Sequence, residues 1–285
     1  LADKAATPRE KAEHLMRAAR LLEGRGDRDA AIERYKLVLD SNPRESVASG
    51  ALRAAYIERG DVSAAIELIG RETEFAESGV SKGKLCAEAA RLAREKLKDN
   101  TRAESSAKEA IGHDPTQIDA LAILGDLAFE ADHPLEALHH YEAVVPRIEQ
   151  LPKALAVRTL QRFIDSLARA GTTEKALTAC EFLKTLAPDD VDSFRLVGKV
   201  LFDHADPKES FRHHQQLLEK FSSKLVGSEK AEALYRFGES ARKAGDALAA
   251  IKALSEAADM DPSAAEPLTA LGKVYEAKGE WEEVI

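Results

Sequence analysis

Apolar and small residues recur along this chain at the three- and four-residue intervals of one helical face, and polar turns interrupt them at regular distances. The stretch from Ala231 to Ala264 shows the pattern most fully. Leu234, Phe237, Gly238 and Ala241 share a face, Gly245-Asp246 breaks it, and Ala250, Leu254 and Ala257 resume it. Pro262 ends the second run, because its ring donates no amide hydrogen and clashes with the preceding turn. The pattern predicts two antiparallel helices in a unit of 34 residues. Ala265 then opens the next unit in the same register, with Leu268, Leu271, Gly272 and Tyr275 in the corresponding places.

Traced backwards, the register places unit starts near 12, 46, 84, 118, 157, 191, 231 and 265, which makes seven whole units and part of an eighth. The steps are 34, 38, 34, 39, 34, 40 and 34 residues, and Pro43, Pro115, Pro188 and Pro262 close only units one, three, five and seven. The repeating object is therefore a pair of units. The extra residues fall at 75–83, 146–156 and 222–230 and predict distinct stacking at three junctions; they could equally be turns on an outer edge or added helical length. Thr7-Pro8-Arg9-Glu10 reads as a capping box with Pro at the first helical position. Similar caps are expected at Thr116 with Asp119, Asp189 with Asp192, and Ser263 with Glu266. Unit three departs most, with Arg91 where Gly is usual, Arg94 where an aromatic is usual, and Lys98-Asp99 in place of the Gly-Asp turn.

A large residue in place four, Leu-Gly in places seven and eight, an aromatic in place eleven, Ala in place twenty and Pro near thirty-two together resemble the tetratricopeptide repeat family. That resemblance implies an all-α fold, a right-handed superhelical solenoid of antiparallel helix pairs with about seven and a half repeats, spanning 1–285 as one array. It also implies a non-enzymatic platform that binds a protein or peptide segment in a concave groove. The rival reading is a regulatory or sensor region of a larger enzyme or signalling protein. The family pattern turns places two, five, nine, twelve and thirteen of each first helix toward the groove. The candidate partner-binding residues are Asp126, Phe129 and Glu130 in unit four, Arg158 and Gln161 in unit five, Arg195, Lys199 and Phe202 in unit six, and Tyr235 in unit seven. They suggest an acidic start passing to a basic band, with aromatic anchors between. No unit carries the Lys and Asn pair at places five and nine with which the chaperone-binding members grip a peptide carboxylate.

Composition agrees with thin helix-on-helix packing: 32% of the 285 residues are charged, 44% hydrophobic and only 5% aromatic. A net charge of -9, from 41 basic and 50 acidic residues, argues against a general nucleic-acid binder. Cys86 and Cys180 read as small buried side chains rather than a disulfide. His139-His140 and His213-His214 are the only residues in a pattern suggestive of catalysis, but adjacent helical residues point about 100° apart, so neither pair readily offers two ligands to one ion. They are expected to be satisfied or solvent-facing. No cofactor, metal site or catalytic residue is assigned, and no membrane span or signal sequence is visible. A cytoplasmic location is the expectation. The first residue, Leu1, and a last unit that stops at Ile285 suggest an excised piece of a longer array, so that Val274 and Trp281 are expected to be loosely held or covered by another copy.

Overall fold

Helix ends along the chain are set by short polar signals. Thr7 Oγ1 accepts a hydrogen bond from the Glu10 amide at 3.2 Å, and the Glu10 carboxylate accepts from the Thr7 amide at 3.1 Å, so the capping box forms as expected. Gly26, Gly60 and Gly245 adopt positive φ in the turns between paired helices. The aspartates that follow, Asp27, Asp61 and Asp246, accept from the amides of Ala30, Ala64 and Ala249 and start the second helices. Unit three makes the same turn with Lys98, at φ 57°, followed by Asp99 as the cap.

Three expected caps are displaced. Asp114 takes both the amide and the hydroxyl of Thr116, at 3.0 and 2.7 Å, and Asp261 does the same to Ser263, at 3.1 and 2.6 Å. Those hydroxyls are therefore spent on the turn itself. Gln117 caps the helix of unit four, Ala264 precedes that of unit eight without a side-chain cap, and Asp190 rather than Asp189 caps that of unit six.

The computed structural model describes residues 7–279, and no strand occurs among them. The described α-helices are α1 (Pro8–Gly24), α2 (Arg28–Ser41), α3 (Ser46–Glu58), α4 (Val62–Phe75), α5 (Gly79–Leu92), α6 (Asn100–His113), α7 (Ile118–Glu130), α8 (Pro134–Val144), α9 (Lys153–Arg169), α10 (Thr173–Leu186), α11 (Val191–His204), α12 (Pro207–Phe221), α13 (Ser228–Ala244), α14 (Ala247–Met260) and α15 (Ala265–Lys278). A π-helical turn, Ala93–Leu97, extends α5, and a 3-10 segment, Val145–Gln150, follows α8. The fold is all-α, built from antiparallel helix pairs. The chain forms two compact units, Leu1–Leu151 and Pro152–Ile285. In the first, α1 packs on α2, α3 on α4, α5 on α6 and α7 on α8; in the second, α9 packs on α10, α11 on α12, α13 on α14, and α15 on α14.

The paired period appears as helix length. First helices of odd-numbered repeats are long: α1, α9 and α13 each have 17 residues, and the 14 residues of α5 run on into the five-residue π-turn. Those of even-numbered repeats, α3, α7, α11 and α15, have 13 or 14. Part of each insertion thus lengthens the helix that follows, since α5, α9 and α13 begin ahead of their repeat starts at 84, 157 and 231.

Small residues hold each pair together. Place twenty is Ala31, Ala65, Ala103, Ala137, Ala176, Ser210 and Ala250 in successive repeats, all buried. Place eight of the first helix meets place twenty-four of the second: a Cβ on Gly125 would lie 2.5 Å from the Tyr141 ring, and one on Gly238 would lie 2.7 Å from Leu254. A glycine here is what lets a large side chain lie across the first helix. At the far end Val274 is buried with Leu254, Ala250 and Ala270, so α14 covers it from within the chain. Trp281 lies outside the described residues.

Candidate functional site

The unit-four candidates part company in the fold. Asp126 is 1% exposed, so it does not line an open groove. Its Oδ1 accepts from the Tyr141 hydroxyl at 2.9 Å, and its Oδ2 lies 3.4 Å from Arg94. Arg94 reaches across from the π-helical turn and also donates to Glu130, at 2.7 Å, and to the Ile123 carbonyl, at 3.2 Å. This explains why unit three departs from the pattern. An arginine where an aromatic is usual supplies the counter-charge that a buried carboxylate on the next first helix requires. Glu130 is exposed and Phe129 half-buried at the outer side of the same cluster.

In the second unit, Gln161 is tied down by the Asp190 carboxylate at 3.2 Å and the Ser193 hydroxyl at 3.0 Å, while Arg158 and Lys199 are exposed. Arg195 is no bare cation. It donates to Glu229 at 2.5 Å, with Asp192 at 3.6 Å and Glu232 at 3.9 Å around it. Phe202 and Tyr235 stand side by side with ring centroids 5.9 Å apart, and Lys243 lies 5.1 Å above the Phe202 ring. Arg195, Phe202 and Tyr235 border an open cavity of about 420 Å³ formed along α11, α13 and α15. Five carboxylates face it, from Asp203, Glu229, Glu232, Asp261 and Glu266, against two guanidinium groups, Arg195 and Arg236. The expected basic band is thus an acidic lining in which the arginine is already neutralised, and Lys199 is not among the residues that line it.

The sequence model of the tetratricopeptide repeat family matches residues 235–283. Residues 235–283 carry a tetratricopeptide repeat, and the helix pairs before them keep its register. Among solved structures it is similar to YrrB, described as a tetratricopeptide repeat protein with an unusual peptide-binding site, at 17% identity over 65% of this chain and 90% of YrrB, TM-score 0.55. It is also similar to the C-terminal part of a repeat-containing protein of Cytophaga hutchinsonii, at 15% identity over 90% of this chain and 99% of that one, TM-score 0.55. A third is MamA of Desulfovibrio magneticus, at 18% identity over 60% and 89%, TM-score 0.50. At these identities the likeness is one of fold. No curated protein matches the sequence.

The tetratricopeptide register also accounts for the histidines. His214 occupies place twenty-four, which Tyr35, Ile69, Ala107, Tyr141, Cys180 and Leu254 fill in other repeats. It is fully buried across Gly198, where a Cβ would come within 3.0 Å of its Nε2. Its Nδ1 lies 2.8 Å from the Ser210 carbonyl, and Nε2 has no hydrogen-bond partner among the described residues. His213, also buried, stacks on Phe194 at 4.8 Å and bonds the Phe194 carbonyl through Nε2 at 2.8 Å. The two rings diverge, with planes 86° apart, so they do not converge on one ion. Neither faces solvent, and burial pushes both imidazoles down to about 4.

Groove places of the first helices do not exhaust the concavities. A wider cleft of about 810 Å³ lies along α2, α3 and α4, where Leu39, Tyr56, Leu68 and Phe75 meet Lys36 and Arg71. Second-helix residues contribute most of it, so the family's groove positions could not point to it. No described helix is long and apolar enough to cross a membrane.

Proposed function

We propose that this tetratricopeptide repeat protein is a non-enzymatic scaffold that holds a segment of another protein, and that the cavity along α11, α13 and α15 is its principal contact surface. The observation that carries the reading is the pair Phe202 and Tyr235, two half-buried aromatic rings side by side that border an open concavity, Tyr235 with its inner side packed on the core. The lining selects the partner's chemistry. Carboxylates outnumber guanidinium groups, so a segment with Lys or Arg flanking an apolar anchor is complementary, and one of net negative charge is repelled. YrrB, similar in fold, has a peptide-binding site, which supports a peptide as the ligand class. Arg158 and Lys199 would stand at the margin, and Phe129 with Glu130 offers a second aromatic and carboxylate on the first unit.

Selection of a random peptide library on the immobilised full chain tests this. Selected peptides are expected to combine basic residues with an aromatic or aliphatic anchor and to bind more weakly at high salt. Phe202→Ala should weaken them by about 1 to 3 kcal/mol, Asp203→Asn with Glu266→Gln by less, and Lys199→Ala hardly at all. If the selected peptides bind the Phe202→Ala protein as tightly as the parent, the groove reading is wrong.

A further inference from the structure

Cys86 and His113 stand far apart in sequence and on different helices, yet the fold brings their ligating atoms together. Cys86 Sγ, a Glu109 carboxylate oxygen and a His113 ring nitrogen lie within 4.8 Å of one another. Cys86 projects from α5 and is 4% exposed; Glu109 and His113 are four residues apart on α6, on one face, with Nε2 and Oε1 3.8 Å apart. Ligand atoms around a tetrahedral zinc ion sit about 3.5 Å from each other, given metal–ligand bonds of roughly 2.0 to 2.3 Å. The triad is therefore about one ångström too open. Glu109 and His113 can close that distance by side-chain rotation, because both reach solvent, while the thiol stays fixed in the core.

The backbone around the triad is held tightly. A Cβ on Gly79 would lie 2.5 Å from the His113 carbonyl oxygen, and one on Gly83 would lie 2.8 Å from the Asp114 side chain. The first turns of α5 thus press directly on the end of α6 and fix the segment that carries His113. Both glycines fall in the inserted stretch 75–83. The insertion, left unexplained by the repeat register, builds this close approach.

We propose that Cys86, Glu109 and His113 form a binding site for one divalent transition-metal ion of the zinc class. A thiolate, an imidazole and a carboxylate are a borderline-soft donor set that suits zinc and disfavours magnesium or calcium. Three protein ligands leave the fourth position to water. The ion joins α5 to α6 in the repeat whose first helix ends in a π-helical turn and whose turn residue is Lys98 rather than glycine, so it braces an irregular helix pair.

The test uses the full chain, freed of metal and titrated with cobalt(II) and zinc(II). Cobalt is expected to bind one per chain, with a thiolate-to-metal charge-transfer band and the visible bands of a tetrahedral ion. Zinc is expected to displace it and to raise the melting temperature. Cys86→Ala should abolish the charge-transfer band. His113→Gln, at an exposed position that leaves the core intact, should weaken zinc by about tenfold or more. Cys180→Ala should change nothing. A cobalt spectrum without the thiolate band, or equal zinc affinity in parent, Cys86→Ala and His113→Gln, would overturn the site and leave only adventitious binding to surface carboxylates.

Discussion

Acidification should loosen the second unit through His213 and His214, and the size of the effect follows from their burial. Both are held neutral, with pKa near 4 against an ordinary 6.5. Desolvation is the main cause in each, partly offset by the hydrogen bonds to the Phe194 and Ser210 carbonyls; Lys184 disfavours and Glu181 favours a positive charge on His213, while His213 and Arg236 disfavour one on His214. The unfolded chain takes up protons as pH falls through 6.5, and the folded chain does not until about 4. The stabilising contribution is therefore complete above 6.5 and is lost progressively as pH falls toward 4. Between pH 7.5 and 5.0 a shift of this size costs about 2 kcal/mol for each histidine. Urea unfolding followed by circular dichroism, with hydrogen exchange of α11 to α13 to isolate the local free energy, should be measured at both pH values. The variants are His213→Gln, His214→Gln and the double substitution. Glutamine keeps hydrogen-bonding capacity and cannot be protonated, so each single variant should lose about 2 kcal/mol of pH dependence whatever its absolute stability. A double variant with the parent's pH dependence, or imidazoles that titrate near 6.5 by NMR, would refute the reasoning.

Arg94→Ala should destabilise the first unit by about 3 kcal/mol, because it removes a cation that lies against the buried Asp126 carboxylate; chemical unfolding reads this directly. A loss below about 1 kcal/mol would mean that Asp126 is satisfied without Arg94. Lys98→Gly should stabilise by about 1 kcal/mol, since Lys98 holds a left-handed backbone conformation that glycine adopts without a Cβ clash; unchanged stability by the same assay would count against strain at this turn.

What could be read from the sequence was whatever depends on neighbours along the chain. The Gly-Asp turns, the Thr7 capping box and the alanines of place twenty involve contacts within one helix or one helix pair, and the repeat register reports them directly. The caps misplaced by a residue or two show where even local reading stops. At Asp114 and Asp261 two polar side chains compete for one turn, and geometry rather than residue type chooses between them. His214 was within reach of the sequence: it stands one repeat after Cys180, in the same core place, and Gly198 opposite it leaves room for a large side chain. Its two-residue motif drew attention to metal chemistry instead of to register.

Asp126 marks the deeper limit. Place nine faces the groove only if no side chain from the adjacent first helix closes over it, and Arg94 does close over it, bonded also to Glu130 and the Ile123 carbonyl. The sequence carried half of that information, since Arg94 stands where an aromatic is usual and a charge in such a place demands a partner. Which carboxylate answers is a matter of three dimensions. The same reasoning changes the electrostatic reading of the second unit. Arg195 counts as a binding cation when it is read alone, but Glu229, Asp192 and Glu232 surround it, and the groove that remains presents carboxylates around Phe202 and Tyr235. A charge in a repeat array therefore acquires its sign for a partner only after its neighbours in the adjoining repeats are counted, and it is that residual acidity, rather than the arginine, to which a bound segment would respond.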